Sequence, residues 1–442
     1  MRGTGGVVSA AAERDDAPDD RVPTRGLAGP GLVPGVLVAF LGVTVLLTVV
    51  VGYCSGSLGA GVPGPDAGPA WLAGWFHGDG TWYCLIADAG YSYTPGAQSS
   101  VAFFPVFPML LRGFGVLLGD YRVGGWLLGV LSGGLSVLLF TGWVRTRLPC
   151  PAALTAVGVL LVYPYAFFLH GAVYSDGLFL VTAIGAFLLV EGRMYWAAGM
   201  VGALATAGRP VGVAVAVGLL VRVVEIRVEA GVGRVPLGRA GGSAQDRSAV
   251  SGAPGAQVPV RRPTLRELAR AVGSIGWRPA GVLVSLVGVA AWSGYLWVRF
   301  GDPLAFLTVQ GAPGWDQGIG PATWFKVAYL LDWQQRLRNP VLLFTAQALA
   351  GLVAVLLLPR VRRRFGWGST AYCVIALAIP IIGTKDFMGL GRYVLAAFPV
   401  FAAAGDALAG GRHRWLGPAV LGLSTGLLLV ATVLFANGVE VS

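Results

Sequence analysis

The segment "VPGVLVAFLGVTVLLTVVVGY", residues 33–53, decides the fold of this chain. It has no charged side chain and lies within a longer uncharged stretch from Gly26 to Pro65. As a helix it is long enough to cross the ~30 Å hydrocarbon core of a bilayer. The 442-residue chain is 55% hydrophobic and 12% charged, about half the charge of a soluble domain. These features predict a membrane protein built from helices.

Comparable apolar segments recur along the whole chain. We therefore predict an all-α fold, a polytopic transmembrane helical bundle with about eleven spans. The predicted spans are residues 33–53, 123–144, 152–170, 172–190, 195–207, 210–224, 279–298, 339–358, 367–383, 393–409 and 415–436.

Arg209 decides between two topologies. If residues 101–119 crossed the membrane, 195–224 would be one helix with Arg209 near the bilayer centre, which costs at least ~2.5 kcal/mol. If 101–119 lies along the outer surface, two short spans meet at Arg209 instead. We adopt this second arrangement. It places the arginine-rich segments 222–278 and 360–364 in the cytoplasm, as the positive-inside rule requires.

The same topology divides the chain into four parts, with the N-terminus cytoplasmic and the C-terminus outside. Residues 1–32 are polar and predict a disordered cytoplasmic tail. An N-terminal membrane module covers 33–224 and includes a long extracytoplasmic loop, 54–122. A cytoplasmic loop follows at 225–278, and a C-terminal transmembrane bundle occupies 279–442.

Charge and cysteine content exclude several classes of function. The net charge is +11, but the arginines lie mostly in short loops, where they set topology, so we predict no nucleic-acid partner. The four cysteines, Cys54, Cys84, Cys150 and Cys373, lack metal-ligand spacing. Cys54 and Cys84 could pair outside the cell, although small buried hydrophobes are the favoured interpretation. We predict no cofactor and no metal site, and leave any metal requirement open.

Polar residues gather in the turns that this topology places outside. Those turns carry His77, Asp79, Asp88 and Arg112 in the first loop, then Ser175 and Asp176, then Arg209, and finally Lys385, Asp386, Arg392 and Tyr393. Carboxylates and cations therefore converge at the outer membrane boundary. This composition suits the binding of a lipid-linked phosphate and the activation of a hydroxyl.

The chemistry that these groups allow is sugar transfer. A carboxylate can take the proton of an acceptor hydroxyl, and Arg or Lys can hold a departing phosphate. A sugar on a polyprenyl phosphate has a good leaving group, so no strong general acid is needed, and direct attack inverts the anomeric centre. The candidate residues are Asp79 and Asp176 for catalysis, Arg209, Arg392 and Lys385 for phosphate, and Trp82, Tyr83 and Tyr393 for substrate contact.

Each assignment has a simpler alternative. Asp79 and Asp176 stand where helices begin and could serve only as caps. The arginines could be interfacial residues that extend to the membrane surface. We expect Asp88 to be a solvated or capping residue and His77 an ordinary loop residue.

Five motifs in order resemble a known family. "DGTWYCLIADAGY" (79–91), "AFFPVFPMLLR" (102–112), "YSDGLFL" (174–180), "AGRPVG" (207–212) and "GRYVLAAFPVF" (391–401) resemble the PIG-V-type mannosyltransferases, including their actinobacterial relatives. These enzymes belong to the GT-C class of polytopic membrane glycosyltransferases. The similarity runs from about residue 71 to residue 405.

The resemblance implies a GT-C fold and a polyprenyl-phosphate-mannose donor. It also implies transfer on the extracytoplasmic side of the cell membrane, to a lipid, glycan or protein acceptor; in eukaryotes the family builds the glycosylphosphatidylinositol anchor. Asp79 matches the acidic residue of the first outer loop, which implies the catalytic base. Asp176 stands where Glu is usual, and Arg209 and Arg392 match the Arg-Pro and Arg-Tyr positions. The chain departs at Gly78, where an aromatic residue commonly precedes the Asp.

Two other classes of function stay open at the level of sequence. A multispan transporter or lipid-carrier flippase would also combine many helices with charges, but it would place charge deep within its spans. An inactive GT-C-like scaffold would keep the fold without the chemistry. The gathering of polar residues at one membrane boundary favours the enzyme.

Overall fold

The computed structural model of the protein describes residues 32–57, 69–232, 263–315, 317, 320–335, 338–411, 413 and 415–441. The N-terminal tail before residue 32 and much of the predicted 225–278 loop lie outside the described residues. Across the described ranges the regular structure is α-helix and 3-10 helix.

The first half of the chain forms nine α-helices within the described residues. In order they are α1 (Leu32–Ser57), α2 (Asp79–Ala89), α3 (Val106–Leu118), α4 (Tyr121–Arg145), α5 (Cys150–Leu161), α6 (Phe167–His170), α7 (Asp176–Glu191), α8 (Tyr195–Thr206) and α9 (Val213–Val232). The last of these continues eight residues beyond the predicted end of its span at residue 224.

The second half of the described chain contributes ten further helices. They are α10 (Leu265–Ala271), α11 (Trp277–Ala280), α12 (Val287–Phe300), α13 (Ala305–Thr308), α14 (Pro321–Trp324), α15 (Val327–Gln334), α16 (Arg338–Gly383), α17 (Leu390–Ala396), α18 (Pro399–Ala409) and α19 (Leu416–Ala436). Residues 281–286 join α11 to α12 as a 3-10 helix.

Several helices are long and apolar enough to cross a bilayer, so the protein is a multi-pass membrane protein. By length and composition the described part has five such helices, namely Leu32–Cys54, Tyr121–Arg145, Trp277–Phe300, Val341–Gly383 and Leu416–Ala436. A sixth span results if α17 and α18, which meet at 88°, are one broken crossing. The count of eleven spans stays a prediction.

The long helix α16 is broken at Gly366, between the predicted spans 339–358 and 367–383. Gly366 has φ 88° and ψ −171°, outside the helical region. The buried carboxylate of Glu225 accepts the backbone N–H groups of Trp367 at 3.0 Å and Gly368 at 3.3 Å. A side chain from α9 thereby caps the second half of α16, at the end of the bundle remote from Arg209, since Val213 and Glu225 are about 18 Å apart along one helix.

Most buried residues belong to one continuous apolar core around α4. Gly129 and Gly133 of that helix face the backbone of residues 169–172, where an added Cβ would meet the carbonyl oxygens of Ala172 and Leu169. Small residues thus allow the segment that leads into α7 to pack directly on α4, as in other membrane helix bundles. This close packing fixes where Asp176, the first residue of α7, lies.

A second, smaller core lies beside the first. It consists of buried residues from the 101–104 segment, α12 and the 305–309 segment. Phe103 is packed against both cores. The two cores therefore meet at this point, and a cavity opens between them.

Candidate active site

Asp79 lies at the beginning of α2 (Asp79–Ala89), in the segment that follows α1. Residues four apart on a helix share a face, so Asp79 and Tyr83 point to the same side of α2. Trp82 is rotated about 60° from Asp79. The Tyr83 side chain is buried against the bundle, whereas Trp82 stacks on Phe103. This helix thus presents a carboxylate and a phenol to one core and an indole to the other.

The turn before Asp79 is held by Tyr174. Its hydroxyl donates a hydrogen bond to the carbonyl of His77 at 3.1 Å and accepts one from the backbone N–H of Asp79 at 3.0 Å. Gly78, between them, has φ 60° and ψ −124°, a conformation that favours glycine. A Cβ at Gly78 would also collide with the Tyr174 hydroxyl. The departure from the family pattern at Gly78 therefore has a structural reason, because a larger residue does not fit this turn.

Asp176 is the first residue of α7 and its side chain is only 1% exposed. Its Oδ1 accepts a hydrogen bond from Nη1 of Arg209. The Ser175 hydroxyl shares a hydrogen bond of 3.0 Å with the Tyr83 hydroxyl. The N-cap residues of these two helices are Gly78 and Ser175, and neither makes a side-chain cap hydrogen bond. The carboxylates of Asp79 and Asp176 instead pair with arginines.

Arg209 lies at a turn between α8 and α9. Its backbone is extended, with φ −159° and ψ 152°, which is the conformation that a following proline favours. Pro210 therefore ends the first helix, and the guanidinium is directed into the bundle with only 4% exposure. The predicted break at Arg209 is confirmed.

Arg392, in α17, bridges the two carboxylates. Its Nη1 donates to Oδ2 of Asp79 at 2.8 Å, and its Nε lies 3.7 Å from Oδ2 of Asp176. The two carboxylates and the two guanidinium groups form one cluster with no net charge. Four separate segments of the chain supply one residue each.

Aromatic rings enclose the two guanidinium groups. Arg392 lies over the rings of Tyr174 at 4.9 Å and Tyr393 at 5.3 Å, and Arg209 lies over Tyr393 at 5.0 Å. Contacts of this kind stabilise a cation that is removed from water. Tyr393 therefore holds both arginines side by side.

Three polar atoms of the cluster have no hydrogen-bond partner among the described residues. They are Nη2 of Arg209, Nε of Arg392 and Oδ2 of Asp176. A buried polar group without a partner is destabilising by about 1–3 kcal/mol, and by more when it is charged. Nε of Arg392 and Oδ2 of Asp176 lie 3.7 Å apart, so the electrostatic attraction between them offsets part of this cost.

A cavity of about 510 Å³ lies beside the cluster, within the size range of small-molecule sites. One wall carries the charged groups of Asp79, Arg209 and Arg392. The lining also includes Trp82, Gln98, Phe103, Gln310, Trp315 and Gln317, and residues 438–441, among them the exposed carboxylate of Glu440, complete it. Of the predicted residues, Tyr83 and Tyr393 also line this cavity.

Two sequence-identified residues are placed differently, and a third, Asp88, is exposed as expected. Asp176 lies behind the arginines rather than in the cavity lining, and its carboxylate positions them. Lys385 is not part of the lining either; its backbone N–H donates to Oε1 of Gln317 at 2.7 Å. Asp88 is exposed at the far end of α2.

Tyr174, Gln98, Gln310, Trp315 and Gln317 also line the cavity but were not predicted as site residues from the sequence. Tyr174 precedes the Ser-Asp pair in "YSDG", so its proximity to Asp176 was visible, but its contact with Gly78 depends on the fold. Gln310 and Trp315 lie in a loop without any recognisable motif. Only the packing of the second core brings that loop to the cavity.

Local environment sets the protonation of two groups near Asp79. Burial, and then the negative charge of Asp79, raise the pKa of Tyr83 above its ordinary value, so its hydroxyl remains a donor at neutral pH. Burial lowers the pKa of His77, whose Nε2 lies 3.2 Å from the carbonyl of Ala436. A neutral His77 donates to that carbonyl and joins the loop to the end of α19. Among the described residues, no group of three or more His, Cys, Asp or Glu side chains could hold a metal ion.

Comparisons with known proteins give a structural likeness without a family assignment. No protein-family model matches the sequence, and no curated protein matches it. The solved structure of the Archaeoglobus fulgidus oligosaccharyltransferase in its apo form is similar over 93% of this chain, with 15% identity and a TM-score of 0.43. The archaeal oligosaccharyltransferase AglB from Archaeoglobus fulgidus, in complex with an inhibitory peptide and a dolichol-phosphate, is similar over 90%, with 14% identity and a TM-score of 0.40.

The chain spans 56% of the first of these proteins and 55% of the second. Likenesses with identities near 15% and TM-scores below 0.5 do not assign an activity to this chain. The resemblance to the PIG-V-type enzymes accordingly stays a prediction.

Proposed function

We propose that the protein is a GT-C-type membrane glycosyltransferase. It moves a mannosyl residue from polyprenyl-phosphate-mannose to an acceptor hydroxyl on the extracytoplasmic face of the cell membrane. The ordered motifs of the sequence support the family and the sugar, and the distribution of arginine supports the side of the membrane. The acceptor is a lipid, glycan or protein.

The observation that carries this proposal is the pair of buried arginines beside an accessible carboxylate. Arg209 and Arg392 both line the cavity, and each pairs with a carboxylate that holds it in place. The donor is a phosphodiester with one negative charge, and the polyprenyl phosphate that leaves carries a second. Two guanidinium groups stabilise that developing charge more than the charge of the bound donor, which is the requirement for catalysis.

Asp79 is the proposed general base. It lines the cavity and its side chain is 28% exposed, whereas that of Asp176 is 1% exposed. The acceptor oxygen attacks the anomeric carbon as its proton passes to the Asp79 carboxylate. The bond from the anomeric carbon to the phosphate oxygen breaks, and its electron pair stays on the phosphate. Attack opposite the leaving group inverts the anomeric centre.

The two carboxylates therefore have different proposed roles. Asp176 holds Arg209 and lies 3.7 Å from Arg392, so it fixes the phosphate-binding groups. Asp79 is held by Arg392 through Oδ2 alone. A donor phosphate that binds Arg392 competes with the Asp79 carboxylate for this guanidinium.

Replacement of Asp79 by Asn tests the proposal. The amide keeps the size of the side chain but cannot take a proton, and loss of a general base typically lowers a rate by about 10²–10⁴-fold. We expect that loss in turnover, measured as labelled mannose transferred from a short-chain polyprenyl-phosphate-mannose in membranes that contain the protein. Asp88→Asn is the matched control, because Asp88 is exposed on the same helix and away from the cavity.

Near-full transfer by Asp79→Asn would exclude this residue as the base. If Asp176→Asn alone abolished transfer in a folded protein, the roles of the two carboxylates would be reversed. A well-folded wild-type protein that transferred no sugar from any polyprenyl-phosphate donor would contradict the proposed activity itself.

A further inference from the structure

A second part of the cavity lining has a different chemistry. Its described residues are Gln98, Ala102, Phe103, Phe104, Gln310, Gly314, Trp315 and Gln317 together with Trp82, and none of these is charged; we call this set the neutral wall. Its position is fixed by the second core, in which Phe104 packs against Trp292 and Phe306. One wall can therefore bind an anion while the other binds a neutral polar group.

Three aromatic rings form the centre of this neutral wall. Trp82 and Phe103 are stacked with centroids 5.7 Å apart, and Trp315 lies 5.8 Å from Trp82 and 6.1 Å from Phe103. All three side chains are half-buried and line the cavity. A half-buried indole offers a flat apolar surface and an N–H donor to a ligand.

Three glutamine amides surround these rings. Gln98 is exposed at the rim, and Gln310 and Gln317 are half-buried. The Gln317 amide is held in place because its Oε1 accepts the backbone N–H of Lys385 at 2.7 Å. An amide both donates and accepts hydrogen bonds, so three of them suit a ligand with several hydroxyl groups.

We propose that this neutral wall is a pyranose-binding subsite. The Trp82 and Trp315 indoles contact the C–H face of the sugar ring, and Gln310 and Gln317 hydrogen-bond its hydroxyl groups. An isoprenyl chain at this position would leave the glutamine amides without hydrogen-bond partners. A phosphate binds more favourably beside the arginines. The bound sugar is either the mannosyl group of the donor or a sugar of the acceptor. In this respect the inference rests on the proposed function.

Direct binding tests the subsite without reference to turnover. Methyl α-D-mannopyranoside is titrated into the detergent-solubilised full chain, and binding is followed by saturation-transfer NMR. We expect Trp315→Ala and Gln310→Leu each to raise the dissociation constant by about fivefold to tenfold, the effect of one or two lost hydrogen bonds. The matched controls are Trp333→Ala and Gln334→Leu, which change exposed residues outside the cavity.

Steady-state kinetics then identify the source of the sugar. A rise in KM for polyprenyl-phosphate-mannose in Trp315→Ala shows that the donor mannose occupies the subsite, whereas a rise in KM for a glycosylated acceptor shows that the acceptor does. If both KM values and the glycoside titration match wild type in both variants, the subsite is excluded while the transferase stands. If the variants weaken glycoside binding but wild type transfers no sugar, the subsite stands and the transferase is excluded.

Discussion

The turn before Asp79 offers a quantitative test of how the candidate base is positioned. Gly78→Ala introduces a Cβ that collides with the Tyr174 hydroxyl and adds backbone strain at φ 60°. Tyr174→Phe removes that hydroxyl and its two hydrogen bonds, to His77 and from Asp79. In the double variant the collision disappears, because the next atom of residue 174 lies 3.7 Å from the added Cβ, an ordinary contact.

The magnitudes follow from these contacts. In Gly78→Ala, backbone strain lowers the free energy of unfolding by about 1–3 kcal/mol. Overpacking lowers it by a further ~1–3 kcal/mol. Loss of two hydrogen bonds in Tyr174→Phe contributes about 2 kcal/mol. In the double variant only the overpacking disappears. The loss in free energy of unfolding should therefore be smaller than the sum of the two single losses by about 1–3 kcal/mol. This coupling is measured as the free energy of unfolding of the four proteins, and turnover reports separately whether Asp79 has been displaced.

The assay is transfer of labelled mannose by the four proteins, with kcat and KM measured separately. Displacement of Asp79 should lower kcat more than it raises KM for the donor, because Arg392 keeps its contacts with Asp176 and Tyr393. Gly90→Ala is the control, since Gly90 has φ 84° and no atom within 4 Å of an added Cβ. Its effect should simply add to that of Tyr174→Phe. Additivity in the Gly78 cycle, or equal non-additivity in both, would refute the proposed contact.

Three further predictions concern the phosphate site, the topology and a buried lysine. Arg392→Lys should raise KM for the donor by about 10–100-fold, because the ammonium cannot replace a guanidinium that contacts two carboxylates and a phosphate; an unchanged KM would assign the phosphate to Arg209 alone. In a variant without the native cysteines, an impermeant maleimide should label Gln98→Cys but not Arg363→Cys from outside intact cells, and the reverse pattern would invert the topology. Burial lowers the pKa of Lys326 to about 8 from 10.5, so between these values the folded state has released a proton that the unfolded chain keeps. The contribution of Lys326 to the free energy of unfolding is therefore lowest below pH 8, and it rises with pH between the folded and unfolded pKa values. Lys326→Met should remove this rise, measured as the thermal midpoint against pH relative to wild type. An unchanged profile would show that Lys326 is not the group responsible.

The sequence by itself determined the helical, membrane-embedded character of the chain. Apolar segments of span length leave no other way to satisfy the backbone in a bilayer, and this holds for each segment independently of its neighbours. The break at Arg209 was equally local, because Pro210 restricts the residue before it. The residue types needed for binding a phosphate and accepting a proton could also be read from the outer turns.

The tertiary structure decided which of those residues meet. Asp79 and Arg392 are separated by 313 positions, and no local pattern relates them. Lys385 was as plausible a phosphate ligand as Arg392 by composition, yet only Arg392 lines the cavity. Side chains a few positions apart along a turn can point in opposite directions. The path of this turn depends on how α16 and α17 pack.

Packing between distant segments also distinguishes the two carboxylates and brings the neutral wall to the cavity. Asp79 and Asp176 both begin helices, so the local sequence does not show which of the two carboxylates is accessible. Close packing of residues 169–172 on α4 buries Asp176 behind the arginines, whereas α2 lies at the edge of the cavity and leaves Asp79 accessible. Trp315 reaches the cavity only because a second core forms beside the first. Burial depends on contacts between segments distant in sequence, and hydrophobicity alone does not specify which segments pair.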